Sequence, residues 1–375
     1  MDISFKFDPQ VLIGSDTLSM AGTIAKRHGS RIMVAASQGP DLILVNRLKE
    51  ILEDSGLEAI VFNRIEESSS VDLSDNIVEL AITSHCDAII GLGGLKTQII
   101  SRMAAIMTPV KINSFELFEG KGAQKKTLPL IAIPTTGMDV FSLADYFIAV
   151  DPRNRQVKSI RSANSFYTAI ILDNNLYRFL STADAAAFVF EGFFLAAEAY
   201  CSTRANFLSD TLLEKALSIY AKLLRGGSGG INPEGFSQAN FLSSLGSAAS
   251  SPGFGAALST AINARSPAPK PLCSSVLFPH VAERLINARP EKMARIASML
   301  GGTKGASVAE SAASAADCIR RIMTALNIPP NLKSYRISID RIMAAADAVR
   351  KLDFMANSPW PISEEEVFKI LKEVL

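Results

Sequence analysis

The chain has 375 residues, 48% of them hydrophobic and 20% charged, and a formal net charge of +1. That length accommodates two domains with full cores, and the near-neutral charge gives no reason to expect nucleic acid or an anionic membrane as a partner. The first residues lack a basic segment followed by an apolar run, no stretch of about 20 uninterrupted apolar residues occurs, and the four cysteines lie far apart without a CxxC pair. The expectation is therefore a cytoplasmic protein with reduced, mostly buried thiols, without signal peptide, membrane span, disulfide framework or zinc framework.

In chain order, residues 31–36 read as a strand, 41–55 as a helix, 59–62 as a strand and 71–84 as a helix. A short apolar run at 88–90 then meets Gly91-Leu92-Gly93-Gly94, and a helical stretch, 95–107, follows at once. Further strands are expected at 128–133, 146–150 and 169–172, with a turn at 151–154. Alternation of this kind predicts a parallel, doubly wound sheet covered on both faces, whose ligands sit at the carboxyl ends of the strands. Both the glycine run and Pro134-Thr135-Thr136 occupy such ends. Strand, glycine turn and helix together let backbone N–H groups and a helix N-terminus face a phosphate, although many tight turns of this composition bind nothing.

Beyond about residue 180 the texture changes, with Ala, Leu, Phe and Met recurring at helical spacing almost to the end. The interruptions are Gly/Pro/Ser segments at 226–235, 250–255 and 266–271. Ser363-Glu364-Glu365-Glu366 fits a capping box, and the alanine-rich 306–316 fits a close helix–helix contact. The fold class is thus an α/β domain with a parallel, doubly wound sheet over residues 1–180, followed by an all-α domain over 181–375. No internal repeat is visible.

Several segments carry a resemblance along nearly the whole chain. Residues 11–15 look like an opening strand and turn, and Leu128-Pro129-Leu130-Ile131-Ala132-Ile133-Pro134-Thr135-Thr136 is the most specific match. Lys158-Ser159-Ile160, Ile171-Leu172-Asp173, Leu277-Phe278-Pro279-His280-Val281 and Asn357-Ser358-Pro359-Trp360-Pro361 add to it. The chain resembles the iron-containing alcohol dehydrogenase family, related to glycerol dehydrogenase and dehydroquinate synthase. The resemblance implies a cleft between the two domains where hydride passes between NAD or NADP and an alcohol or aldehyde, usually with a divalent metal. It also implies a possible homodimer.

The departures from that family matter as much. Its helix with an aspartate and a histidine four residues apart reads here Val189-Phe190-Glu191-Gly192-Phe193-Phe194-Leu195. Glu191 keeps a carboxylate, whereas Leu195 cannot be a ligand. The third ligand position falls near Ser259 or Asn263, and the fourth at Pro269-Lys270-Pro271; none of His28, His85 and His280 matches a ligand position. No tightly bound iron or zinc is therefore expected at the usual place. Lys270, paired with Glu191, could instead supply positive charge for catalysis; the plain alternative is a solvated loop lysine.

In the cofactor loop, Leu95 and Lys96 follow Gly93 and Gly94 in place of Gly-Ser, Ile99 replaces an aspartate, and Asp139 stands where the family offers a hydroxyl. Asp139 could be offset by Lys96, bond a ribose or bind a cation; the remaining alternative is that no dinucleotide binds there. By the resemblance, Thr135 and Thr136 are expected to contact phosphate or ribose; the alternative is an ordinary strand-end turn whose hydroxyls bond the backbone. Ser37, where the family often has a ribose-binding aspartate, would permit NADP; its alternative is a strand-end cap. Lys158 matches a cofactor contact or is an exposed strand lysine. Phe188, Phe190, Phe193 and Phe194 read as core or as a drier cleft wall. The expected function is an NAD(P)-dependent oxidoreductase acting on a small alcohol or aldehyde with altered or absent metal dependence; the alternative is a catalytically inactive nucleotide or metabolite binder of the same fold.

Overall fold

A computed structural model of the chain describes residues 5–374 apart from 39–41, 67, 123–124, 163–166 and 227–230. The expected helix start at residue 41, residues 227–230 of the glycine-rich interruption at 226–235 and the first four residues lie outside that range. The chain separates into two compact units: Met1–Asn154 with Lys158–Leu180, and Arg155–Val157 with Ser181–Leu375.

The first unit holds β1 (Gln10–Gly14), α1 (Ala21–Ala25), β2 (Arg31–Ser37), α2 (Leu42–Asp54), β3 (Glu58–Ile65), α3 (Ser74–Thr83), β4 (Ala88–Gly93), α4 (Leu95–Met107), α5 (Ser114–Phe118), β5 (Leu130–Pro134), β6 (Tyr146–Asp151) and β8 (Ala169–Asp173), with β7 (Gln156–Arg161) pairing with β6. Six strands form one sheet in the order β1-β8-β5-β4-β2-β3, and every pairing in it is parallel. The inner strands β4, β5 and β8 are buried at every position. Burial on both faces explains why they read as unbroken apolar runs without alternation. On one face Ile32, Val34, Ile90 and Ile131 pack with Leu44, Val45 and Leu48 of α2. The other face lies against α4, on which α3 packs.

The second unit contains α6 (Thr182–Cys201), α7 (Phe207–Arg225), α8 (Pro233–Ser250), α9 (Phe254–Asn263), α10 (Lys270–Ala288), α11 (Pro290–Met299), α12 (Val308–Ala325), α13 (Ile339–Val349) and α14 (Glu364–Val374). Their starts are locally encoded. The Ser181 hydroxyl accepts from the Asp184 N–H at 3.1 Å, and Asn206 with Ser209 forms a reciprocal capping box. At α14, Ser363 accepts from the Glu366 N–H at 3.2 Å, while the Glu366 carboxylate accepts from Arg284 Nε at 2.9 Å. Ala312, Ala315 and Ala316 are buried on α12, which packs on α10 and α11. Phe190, Phe193 and Phe194 surround Phe278 of α10, with ring centroids 4.8–5.8 Å away, so these aromatics are core, while Phe188 is half-buried. The four cysteines are buried and free, and among the described residues no helix is long and apolar enough to cross a membrane.

Candidate functional site

In the first unit, β2 leads through α2 to β3 on one side, whereas β4 leads through α4 to β5 on the other. The strand order therefore reverses between β2 and β4, and the crevice at the carboxyl ends beside such a reversal is where open parallel sheets take ligands. Ser37 ends β2 there and Gly93 ends β4.

Two of the three glycines lie in the strand, not in the turn. Gly91 and Gly93 belong to β4, which runs three residues past the apolar stretch, and only Gly94 lies in the turn. A Cβ on Gly91 would come within 2.8 Å of Ser101 Oγ, so its absence lets α4 press onto the strand. Gly93 has φ +150°, and a Cβ there would lie 2.1 Å from Ser37 Oγ and 2.6 Å from Thr97 Oγ1. Those two hydroxyls are 2.8 Å apart and hydrogen-bond across the crevice. Gln98 Nε2 donates to the carbonyls of Gly91 (2.9 Å) and Gly93 (3.2 Å), which stiffens the strand end.

Gly94 is the N-cap of α4 and, lacking a side chain, makes no side-chain cap bond. The first N–H groups of a helix have no intrahelical acceptor, and the dipole adds partial positive charge there. Register brings Gly93 opposite Pro134, with the Thr135 N–H donating to the Gly93 carbonyl at 3.2 Å. A Cβ on Gly94 would touch Thr136 Cγ2 and Oγ1 at 3.3 Å. Gly93, Gly94, Leu95, Lys96, Thr135, Thr136 and Ser37 are thereby gathered where β2, β4 and β5 reach their carboxyl ends. An uncapped 13-residue helix, approached through glycine and flanked by hydroxyls, fits a pyrophosphate.

Asp139 is half-buried. Its charge, with that of Asp145, supports the fully buried Arg102, whose pKa burial holds below the ordinary range and whose guanidinium also sits over the Tyr167 ring. Arg102 also donates to the carbonyls of Phe141 (3.3 Å) and Ala144 (2.8 Å). Part of the reason for a carboxylate at position 139 is thus a guanidinium under the loop. Lys158 is not an exposed strand lysine: it is half-buried, its Nζ lies 3.0 Å from Asp151 Oδ2, and it sits over the Phe118 ring. Together with Arg153, it holds the Asp151 carboxyl far below the usual range.

In the second unit, Lys270 is not a solvated loop residue. It is the first residue of α10 and 8% exposed. Its Nζ lies 2.7 Å from Glu191 Oε1, and Ser274 Oγ, one turn along α10, donates to the same oxygen at 2.8 Å. The other positions that the resemblance associates with a metal do not converge as ligands. Leu195 is apolar and buried, Ser259 Oγ bonds the Ala256 carbonyl at 3.1 Å, and Asn263 Nδ2 bonds the Ala268 carbonyl at 2.9 Å. His280 pairs with Glu373 at 2.8 Å. Among the described residues no three His, Cys, Asp or Glu side chains stand together. One carboxylate oxygen already shared by an ammonium and a hydroxyl, with no imidazole beside it, does not fit iron or zinc.

Sequence reasoning missed Thr97, Gln98, Ser274 and Glu198. Glu198 lies two turns after Glu191 on an otherwise apolar stretch of α6 and is 3% exposed, a spacing that could have marked it. Its oxygens accept from the N–H groups of Gly255 (2.6 Å) and Ala256 (2.8 Å) at the start of α9. The Lys270–Ser274 spacing, one helical turn, was likewise a usable signal.

Known proteins resemble both units. Residues 8–174 match the family described as iron-containing alcohol dehydrogenase, and residues 189–375 match the C-terminal part of the Fe-containing alcohol dehydrogenase family. The sulfoacetaldehyde reductase of Bilophila wadsworthia is 24% identical over 363 residues, covering 94% of this chain and 93% of that one. Among solved structures, a 1,3-propanediol oxidoreductase superposes with a TM-score of 0.91 at 20% identity, covering 100% of both chains. A sulfoacetaldehyde reductase from Bifidobacterium kashiwanohense in complex with NAD+ gives 0.84 at 17% identity, covering 100% of this chain and 99% of that one.

Proposed function

The chain belongs to the iron-containing alcohol dehydrogenase family, and from that premise we propose that it is an NAD(P)-dependent oxidoreductase interconverting a small alcohol and its aldehyde. One observation carries the reading: the uncapped N-terminus of α4, reached through Gly93 and Gly94 and faced by Thr136, lies at the reversal point of a parallel sheet. Leu95, Lys96, Thr135 and Thr136 hold the pyrophosphate in this reading, and Asp139 braces the loop beneath through Arg102. The bound nicotinamide supplies or accepts the hydride. Lys158, engaged with Asp151, contributes positive charge near the β6–β7 pair.

Ser37 brings no carboxylate to the ribose side of the crevice, and its hydroxyl is engaged with Thr97. NADP is therefore admitted along with NAD, since nothing at that position repels a 2′-phosphate. We assign nucleotide binding to residues 1–180 and the substrate side to the helical residues 181–375. The buried free thiols suit a reducing, cytoplasmic setting. A homodimer is part of the proposal and is supported by the edge position of β1, near which Phe5, Phe7 and Ile13 are exposed.

Fluorescence titration with NADH and NADPH, followed by a screen of short aldehydes with whichever binds, tests the reading. Saturable binding with turnover is the expected result. Binding without turnover would favour a nucleotide binder of the same fold, and no binding of either cofactor would sink the proposal.

A further inference from the structure

Beneath the stretch that joins β5 to β6 lies a cavity of about 10 Å³, wholly within the first unit. Ala132 of β5 and Ile170 of β8 line its sheet side, and Gln98, Asp139, Ser142 and Tyr167 bring polar groups to it. Gln98, Ser142 and Tyr167 are only 8%, 8% and 4% exposed, so water from the surface does not serve them. Gln98 Nε2 is committed to the carbonyls of Gly91 and Gly93. Those carbonyls fix the amide, because its oxygen turned to that side would face two acceptors. Oε1 is thereby left buried with no hydrogen-bond partner. The Ser142 and Tyr167 hydroxyls likewise have no partner among the described residues. Burying a polar group without a partner is costly, and here three such groups converge on one cavity.

We propose that this cavity is a binding site for a single water molecule, which latches residues 137–142 to α4. A space of this size has room for one water, and a buried water needs two to four polar partners. The donors and acceptors balance. The water donates to Gln98 Oε1, accepts from the Tyr167 and Ser142 hydroxyls, and turns its second hydrogen to Asp139. A cation suits the site poorly. Arg102, one turn along α4 from Gln98, already places a buried guanidinium under the same stretch, donating to the Phe141 and Ala144 carbonyls and lying over the Tyr167 ring. Small residues leave the space open: Gly91 and Ala132 stand opposite each other in register, and a Cβ on Gly91 would come within 3.1 Å of Gln98 Oε1. Gln98 thereby ties the end of β4, through Nε2, to the stretch after β5, through the water. Thr135 and Thr136 lead directly into that stretch, so the latch also steadies the crevice above it. The site belongs to the free protein and requires no bound cofactor.

The full chain tests this in two ways. A high-resolution crystal structure should show one peak about 2.7–3.0 Å from Gln98 Oε1, Ser142 Oγ and Tyr167 Oη. An empty cavity overturns the proposal, as does a peak with oxygen contacts of about 2.0–2.6 Å, which would be a metal ion. Ser142→Ala, Tyr167→Phe and the double variant, unfolded in urea and followed by circular dichroism, give the second reading. Each single change removes a hydroxyl that bonds the water, and should lower the folding equilibrium constant roughly fivefold. The double variant should lose less than the product of the two, because both hydroxyls share one partner. Its amide hydrogen exchange should quicken across residues 137–142. Single variants as stable as the wild type, or more so, are what hydroxyls in a dry cavity would give, and they overturn the water site. Strictly multiplicative losses overturn the shared partner, and unchanged exchange across 137–142 overturns the latch.

Discussion

Glu198 makes a quantitative prediction about the helical unit. Its carboxyl is 3% exposed on α6 and caps α9 by accepting from the N–H groups of Gly255 and Ala256. Burial pushes its pKa from 4.5 up to about 7, against the opposing pull of the N–H groups of Gly255, Ala256 and Gly253. A carboxyl raised in the folded state binds its proton more tightly there than in the unfolded chain. Its contribution to stability is fully present below pH 4.5 and is lost as the pH rises through about 7. At about 1.4 kcal/mol per pKa unit, the loss across that window is about 3 kcal/mol. Glu198→Gln removes the titration, and its amide satisfies only one of the two N–H groups, a pH-independent cost of about 1–3 kcal/mol. The stability gap between wild type and variant should therefore shrink by about 3 kcal/mol over the window, and the two could cross near neutral pH. Trp360, the only tryptophan, reports the transition, because it packs edge-on against Phe254 at the start of α9 (6.1 Å, 77°). Urea unfolding followed by its fluorescence at a series of pH values measures both curves. Parallel curves from pH 4.5 to above 7 would show that the Glu198 carboxyl is not perturbed in the way argued.

Gly93→Ala should destabilise the first unit by about 1–3 kcal/mol, because the added methyl meets Ser37 and Thr97, and should also weaken cofactor binding; an unchanged denaturation midpoint would refute the close approach. Thr136→Val removes a hydroxyl beside Gly94 and should weaken NADH or NADPH binding by about 1 kcal/mol, roughly fivefold, with stability unchanged. Ser37→Asp places a carboxylate at the ribose side of the crevice, so NADPH should lose about tenfold or more in affinity while NADH loses less. Equal losses for both cofactors in a titration would remove Ser37 from the ribose side.

Much of the first unit was legible because a parallel sheet buried on both faces leaves unbroken apolar runs, as in Ile131-Ala132-Ile133, with punctuation at each strand end. The boundaries were less so. The strand expected to stop at Ile90 continues to Gly93, because parallel pairing with β2 and β5 carries glycines that local propensity would have placed in a turn. Helix starts such as Asn206-x-x-Ser209 were set by neighbours within one turn. Lys270 was the hard case. Its setting, Ser266-Pro267-Ala268-Pro269, has the composition of a solvated loop, yet Pro271 at the second position of α10 suits a helix start.

Pattern and spacing along the chain thus determined the α/β unit, the helical unit and the glycine approach to α4, since each depends on residues close in sequence. The tertiary structure alone decided what the functional side chains meet. Lys270 finds Glu191 across 79 positions, Ser37 finds Thr97 across 60, and Glu198 finds Gly255 across 57. Such partners are chosen by how helices and strands pack, and burial then turns an ordinary lysine and an ordinary glutamate into a fixed, water-poor ion pair.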